Sequence, residues 1–179
     1  PPSGRVPPVG HLATVTPGSP GTGNGNRGGA SPVPPRTAPS THHPSGLGQV
    51  RRCLNFVRAL AARRPDAALL VITGSPALHA FASLPHNADF VKIPTVARTG
   101  SRHLRPPHLP IPLEQVTSFR AGLVREAVTS FRPDVFLVDN FPLGSRRELV
   151  DTLEELRGSG TKTVLGLRDI LDTPAAVCA

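Results

Sequence analysis

The 179-residue chain contains no Met, Trp or Tyr, two Cys, and two Lys, Lys92 and Lys162. Cys53 and Cys178 lie far apart with no CxxC or His spacing around them, which argues against a disulfide framework and against a zinc site. His79 and His86 also have no partner at metal-ligand spacing, so no metal is expected. The longest purely apolar run, residues 67–72, is far shorter than the roughly 20 residues a membrane-spanning helix needs. No charged-then-apolar segment opens the chain, and a soluble, cytoplasmic protein is expected. With only seven Phe and no other aromatic residue, packing must rest on Leu, Val, Ala and Ile. Met is missing even at the first position; the expectation is a fragment, or an incomplete or mis-translated gene product.

What is present is divided unevenly. Eleven of the 22 prolines and ten of the 17 glycines precede residue 49. Residues 1–45 carry almost no periodic apolar pattern, cannot bury enough surface to offset their ordering entropy, and are expected to be a disordered low-complexity segment. The following stretch, 46–179, has normal globular composition and the length of one domain. Twenty Lys and Arg stand against 12 acidic residues, a formal charge of +8, which favours anionic partners such as phosphates, nucleic acid or acidic lipid.

Apolar positions at Leu47, Val50, Leu54, Val57 and Leu60 or Ala61 recur at helical spacing up to Arg64. Residues 67–73 read as a strand covered on both faces, 77–82 as a short helix, 90–93 as a strand stopped by Pro94, and 95–112 as loop. Residues 113–131 form the clearest helix, with Val116, Phe119 or Arg120, Leu123, Ala127 and Phe131 in line. Strand 134–139, helix 145–157, strand 163–167 and a short helical end complete the series. Alternating strands and helices demand parallel pairing through crossovers, so the predicted fold is α/β: a Rossmann-like three-layer α/β/α domain with a mainly parallel sheet.

Ligands in such sheets sit beyond the carboxyl ends of the strands. That rule nominates Gly74 and Ser75, Asp139, Arg168 and the start of the first helix. There Gly46 and Gly48 would let an anion approach bare amides, with Arg51 and Arg52 one turn on. The simpler alternative is a helix start with two solvated arginines. The third position of a dinucleotide fingerprint is Arg51 and no convincing strand precedes it, which speaks against nicotinamide. Asp139 ends a buried strand, where a carboxylate can orient a hydroxyl or take its proton; a cap or turn residue is the plainer reading. Arg168 and Asp169 invite either ligand contact or a mutual salt bridge. Between Asp89 and Glu114 no acid interrupts Lys92, Arg98, Arg102, His103, Arg105 and His108, a basic loop able to meet phosphate or an anionic membrane surface. No Phe interleaves with it, so the stacking platform of a single-strand nucleic-acid binder is missing.

Taken in order, GLGQVRRCLNFVRALA, VITGSPALHAF, DFVKIP, FRPDVFLVDNFPLG and TVLGLRDILD resemble the amino-terminal half of bacterial predicted glycosyltransferases, GT-B enzymes related to the family 28 peptidoglycan N-acetylglucosaminyltransferases. The resemblance covers about residues 45–173. It implies hexosyl transfer from a nucleotide-sugar, the co-substrate, to an acceptor hydroxyl, with no other cofactor. Residues 46–179 would be the acceptor-side domain and the donor domain would be absent, leaving the chain inactive alone. Asp139 would be catalytic, and Gly46, Gly48, Gln49, Arg51, Arg52, Gly74, Ser75 and Arg168 substrate-binding. The chain departs from the family pattern at Gln49, where relatives have His, and at Asn140, where they have a basic residue. Prolines and a His pair stand in place of the family's first strand, so that inner strand is expected to be lost. The rival expectation is a non-enzymatic basic α/β module that docks an anionic partner.

Overall fold

The computed structural model describes residues 33–42, 47–77, 83–99 and 103–167. Five strands form one sheet: β1 (Arg36–Thr41), β2 (Ala68–Thr73), β3 (Ala88–Lys92), β6 (Val135–Asp139) and β7 (Lys162–Gly166). Their order is β3-β2-β1-β6-β7, and every pair in it is parallel. Helix α1 (Leu47–Arg63) follows β1, and α2 (Leu113–Phe131) and α3 (Val150–Leu156) flank β6. Two further strands, β4 (Ala97–Thr99) and β5 (His103–Arg105), pair antiparallel as a separate hairpin. The predicted α/β arrangement with a parallel sheet is the observed one.

Two apolar clusters sandwich the sheet. Val50, Leu54, Val57 and Ala61 of α1 pack on Leu69 and Val71 of β2. On the opposite face, Val124 and Val128 of α2 and Leu156 of α3 pack on Ala38, Ile72, Phe136 and Val138. Alternation along each strand sends neighbouring side chains to opposite faces, so Val71 and Ile72, both fully buried, serve different layers. Helices on both sides of the sheet make the three layers.

The largest departure from the sequence reading is β1. Residues 1–45 were expected to be disordered and the inner strand lost, yet Arg36–Thr41 is the central strand of the sheet. Its sequence, RTAPST, has no large apolar residue and so no hydrophobic signal; burial comes entirely from its neighbours. Ser40 and Thr41 are buried with their hydroxyls satisfied by His42 and Thr73, which removes the desolvation cost that polar strand residues otherwise carry. Pro39 has no amide hydrogen to donate. The carbonyls of Pro35 and Thr41, which share its parity, accept from Ala68 and Gly74 on the β2 side, so the missing donor faces β2. Pairing with β2 skips Ala38 and Pro39, while pairing with β6 runs unbroken from Thr37 to Ser40.

Two smaller expectations also change. The stretch 95–112, read as loop, contains the β4–β5 hairpin, whose three-residue strands are too short to show a period. The single helix expected at 145–157 is divided into a 3-10 turn, Ser145–Arg147, and α3. Gly144, Arg146 and Arg147 have φ of 71°, 50° and 63°, left-handed values that no α-helix contains. The tail 1–32, most of the expected helix at 77–82 and the expected helical end lie outside the described residues.

Candidate functional site

Because β2 and β3 extend the sheet to one side of β1 while β6 and β7 extend it to the other, the chain reverses its winding between β1 and β6. Crevices open at such a reversal, beyond the strand carboxyl ends. One is present: about 190 Å³, walled by Pro39 and Thr41 of β1, Leu137 and Asp139 of β6, Gly166 and Leu167, and Arg52, Cys53 and Phe56 of α1.

Arg52 and Asp139 bridge its mouth. An Arg52 Nη2 donates to Asp139 Oδ1, tying α1 to the end of β6. The Asp139 side chain is 13 % exposed and that of Arg52 40 %, so the carboxylate is sheltered and the guanidinium half open. Asp139 Oδ2 is buried and has no hydrogen-bond partner among the described residues. A buried carboxylate oxygen without a donor is costly, and a ligand hydroxyl at the crevice would satisfy it. Gln49, at the start of α1, is also buried, and its Nε2 has no acceptor among the described residues. A free acceptor and a free donor thus lie at the same carboxyl edge.

Cys53, one position along α1, is shielded there. Burial pushes its thiol upward, the Asp139 carboxylate adds to this and Arg52 partly opposes it; the outcome is about 12. At neutral pH it is an inert thiol that packs.

The sequence-nominated residues divide three ways. Asp139, Arg52 and Gly48 share the carboxyl edge, and Arg51 is exposed beside them. Gly74 and Ser75 are engaged within the fold. Ser75 Oγ accepts from the Ala77 amide and its own amide donates to Thr73 Oγ1. A Cβ on Gly74 would lie 2.6 Å from an Arg120 Nη1. Gly46 and Arg168 lie outside the described residues.

The described basic residues of the hairpin are divided between its two faces. In the hairpin, Arg98 opposes Leu104, whereas Ala97 opposes Arg105 and Thr99 opposes His103; Arg98 therefore faces away from His103 and Arg105. Lys92 turns back to Thr95 Oγ1 at 3.0 Å and to the Ile93 carbonyl. Its pKa is lowered by burial and then by Arg120.

Sequence reasoning missed a densely bonded buried polar group, Glu148. Glu148, 4 % exposed, accepts from Arg120 Nε at 2.6 Å and Nη2 at 2.7 Å, and lies 2.7 Å from His42 Nδ1. His42 Nε2 is 2.5 Å from Ser40 Oγ. Burial raises the Glu148 pKa, but the hydrogen bonds of Arg120 and then His42 outweigh it and bring the group to about 2. An ionised carboxylate only accepts, so His42 Nδ1 carries the hydrogen toward Glu148. One signal was legible: Arg120 sits in the i, i+4 stripe Val116, Arg120, Val124, Val128, all buried, and an arginine there demands a partner.

Among the described residues no three His, Cys, Asp or Glu gather as a metal site, and no helix is long and apolar enough to cross a membrane. No protein-family model and no curated protein matches the chain.

Proposed function

We propose that this chain is the acceptor-side half of a GT-B glycosyltransferase, taking an acceptor hydroxyl into the crevice between β1 and β6. The observation that carries this reading is Asp139 on the crevice wall beside a guanidinium, with its buried Oδ2 unpartnered among the described residues. The ordered resemblance of five sequence segments adds to it.

In the proposed reaction the acceptor O–H donates to Asp139. As the acceptor oxygen forms its bond to the anomeric carbon, the carboxylate receives the proton, and the bond from that carbon to the nucleoside diphosphate breaks. Arg52 holds Asp139 in place through Oδ1 and leaves Oδ2 for the substrate. Gln49 cannot be the base, since an amide does not titrate near neutral pH; its Nε2 can donate to a ring or hydroxyl oxygen. The donor and its diphosphate would be bound by a second domain.

Saturation-transfer NMR against a panel of free sugars and nucleotide-sugars tests this. Binding of a sugar that is lost in Asp139→Asn, with no tight donor binding, is the expected result. Tight stoichiometric binding of a nucleotide-sugar, or sugar binding indifferent to Asp139→Asn, overturns it.

A further inference from the structure

A second cavity, about 140 Å³, opens on the other side of the same carboxyl edge, formed by His42, Arg98, Leu104, Phe141, Ser145 and Arg146 together with Gly144. We propose that it binds the phosphate group of a phosphorylated acceptor. That the phosphate is carried by an acceptor rests on the acceptor-side reading; that a phosphate binds rests on this cavity alone.

Charge is the first argument. Two guanidiniums line the cavity and, among the described residues, no carboxylate does. The nearest acid in the structure's bonding, Glu148, is already spent: Arg120 holds both its oxygens, His42 Nδ1 and the Ser145 amide share Oε1. His42 therefore contributes a ring wall with both nitrogens engaged internally, and presents no free acceptor that would repel an anion. Arg98 has no acid partner among the described residues. Among the described residues Arg146 reaches only Glu114, at 3.4 Å, with that side chain 74 % exposed, a pairing that solvent largely screens.

Geometry is the second. Arg98 and Leu104 oppose each other across the hairpin and face the cavity together. Arg146 is delivered by a backbone with φ 50° and ψ 36°, followed by Arg147 at φ 63°. Two successive non-glycine residues in the left-handed region are uncommon, and such conformations persist where the surroundings impose them, often at ligand sites. Two planar forks lining one cavity from different elements suit a tetrahedral group with three terminal oxygens, whereas a carboxylate would occupy one fork. Leu104 and Phe141 supply apolar wall for the carbon body that carries the phosphate. The loop leaving Asp139 continues directly into Phe141 and on to Arg146, so one segment borders both the crevice and this cavity.

The test uses the full chain, with inorganic phosphate and glucose 6-phosphate as probes and acetate as the carboxylate control, read by isothermal titration and ³¹P NMR. Saturable phosphate binding weakened about tenfold or more by Arg98→Ala and by Arg146→Ala, unchanged in Arg125→Ala and not displaced by acetate, is expected. Arg125 is an exposed arginine on α2 paired with Glu155, so it controls for general charge. Thermal melts of each variant check folding. No saturable binding, equal weakening by Arg125→Ala, displacement by acetate, or loss in Arg51→Ala with retention in Arg98→Ala each overturns the proposal. Phosphate binding at Arg98 and Arg146 can hold while sugar binding at Asp139 fails, so the two readings fall separately.

Discussion

Arg120 and Glu148 lie side by side in the core, the guanidinium 1 % and the carboxylate 0 % exposed at the side chain, joined by two hydrogen bonds of 2.6 and 2.7 Å. The pair joins α2 to the turn before α3, and Arg120 also donates to the Pro94 carbonyl after β3. His42 connects it to the end of β1. Four segments at the carboxyl edge are thus held by one buried charge pair.

Removing either partner leaves the other buried without its counter-charge. Arg120→Met or Glu148→Leu alone is expected to lower the unfolding free energy by roughly 3–5 kcal/mol. The double variant should lose less than the worse single one, because no uncompensated charge remains. Urea unfolding of the three proteins checks this.

The same pair sets an acid limit. Glu148 titrates near 4.5 when unfolded and about 2 when folded, so its contribution is complete above the unfolded value and is lost as pH falls toward the folded one. At 1.36 kcal/mol per unit this amounts to about 3 kcal/mol. The urea midpoint should fall steeply between about pH 4.5 and 2, and Glu148→Gln should flatten that limb.

Gly74 and Gly122 should respond oppositely to alanine. A Cβ at Gly74 meets the fixed Arg120 guanidinium at 2.6 Å, whereas one at Gly122, exposed in the middle of α2, meets nothing within 4 Å. Gly74→Ala is expected to destabilise by about 1–3 kcal/mol through overpacking. Gly122→Ala should stabilise by about 0.5–1 kcal/mol, since glycine is the poorer helix former. Thermal melts distinguish the signs.

Cys53, with its thiol at about 12, should resist a disulfide reagent at pH 8 in the native protein and react fully in urea. A Cys178→Ser background isolates its signal. Rapid native labelling would mean that the crevice admits reagent and that the thiol is not desolvated.

Much of the fold was legible because its signals are local. Residues 113–131 were read as α2 with both bounds matched, and the strands at 67–73, 134–139 and 163–167 lie within a residue of β2, β6 and β7, since apolar runs flanked by Pro, Gly and Asp record burial directly. Asp139 and Arg52 were picked out as separate residues, and the structure joins them. β1 was hidden because Thr, Ala, Pro and Ser record nothing of the kind: its burial belongs to β2 and β6.

The amino-acid order by itself determined the alternation of apolar strand and amphipathic helix, and with it a parallel sheet whose carboxyl edge carries the polar residues, because periodicity acts within a few residues along the chain. Only the tertiary structure decided that a polar, proline-containing segment is the central strand, that Ser40, His42, Glu148 and Arg120 form one buried chain of hydrogen bonds, and that Arg98 and Arg146 line one cavity. Those relationships span up to 106 residues, and their energies exist only once the sheet has closed around them.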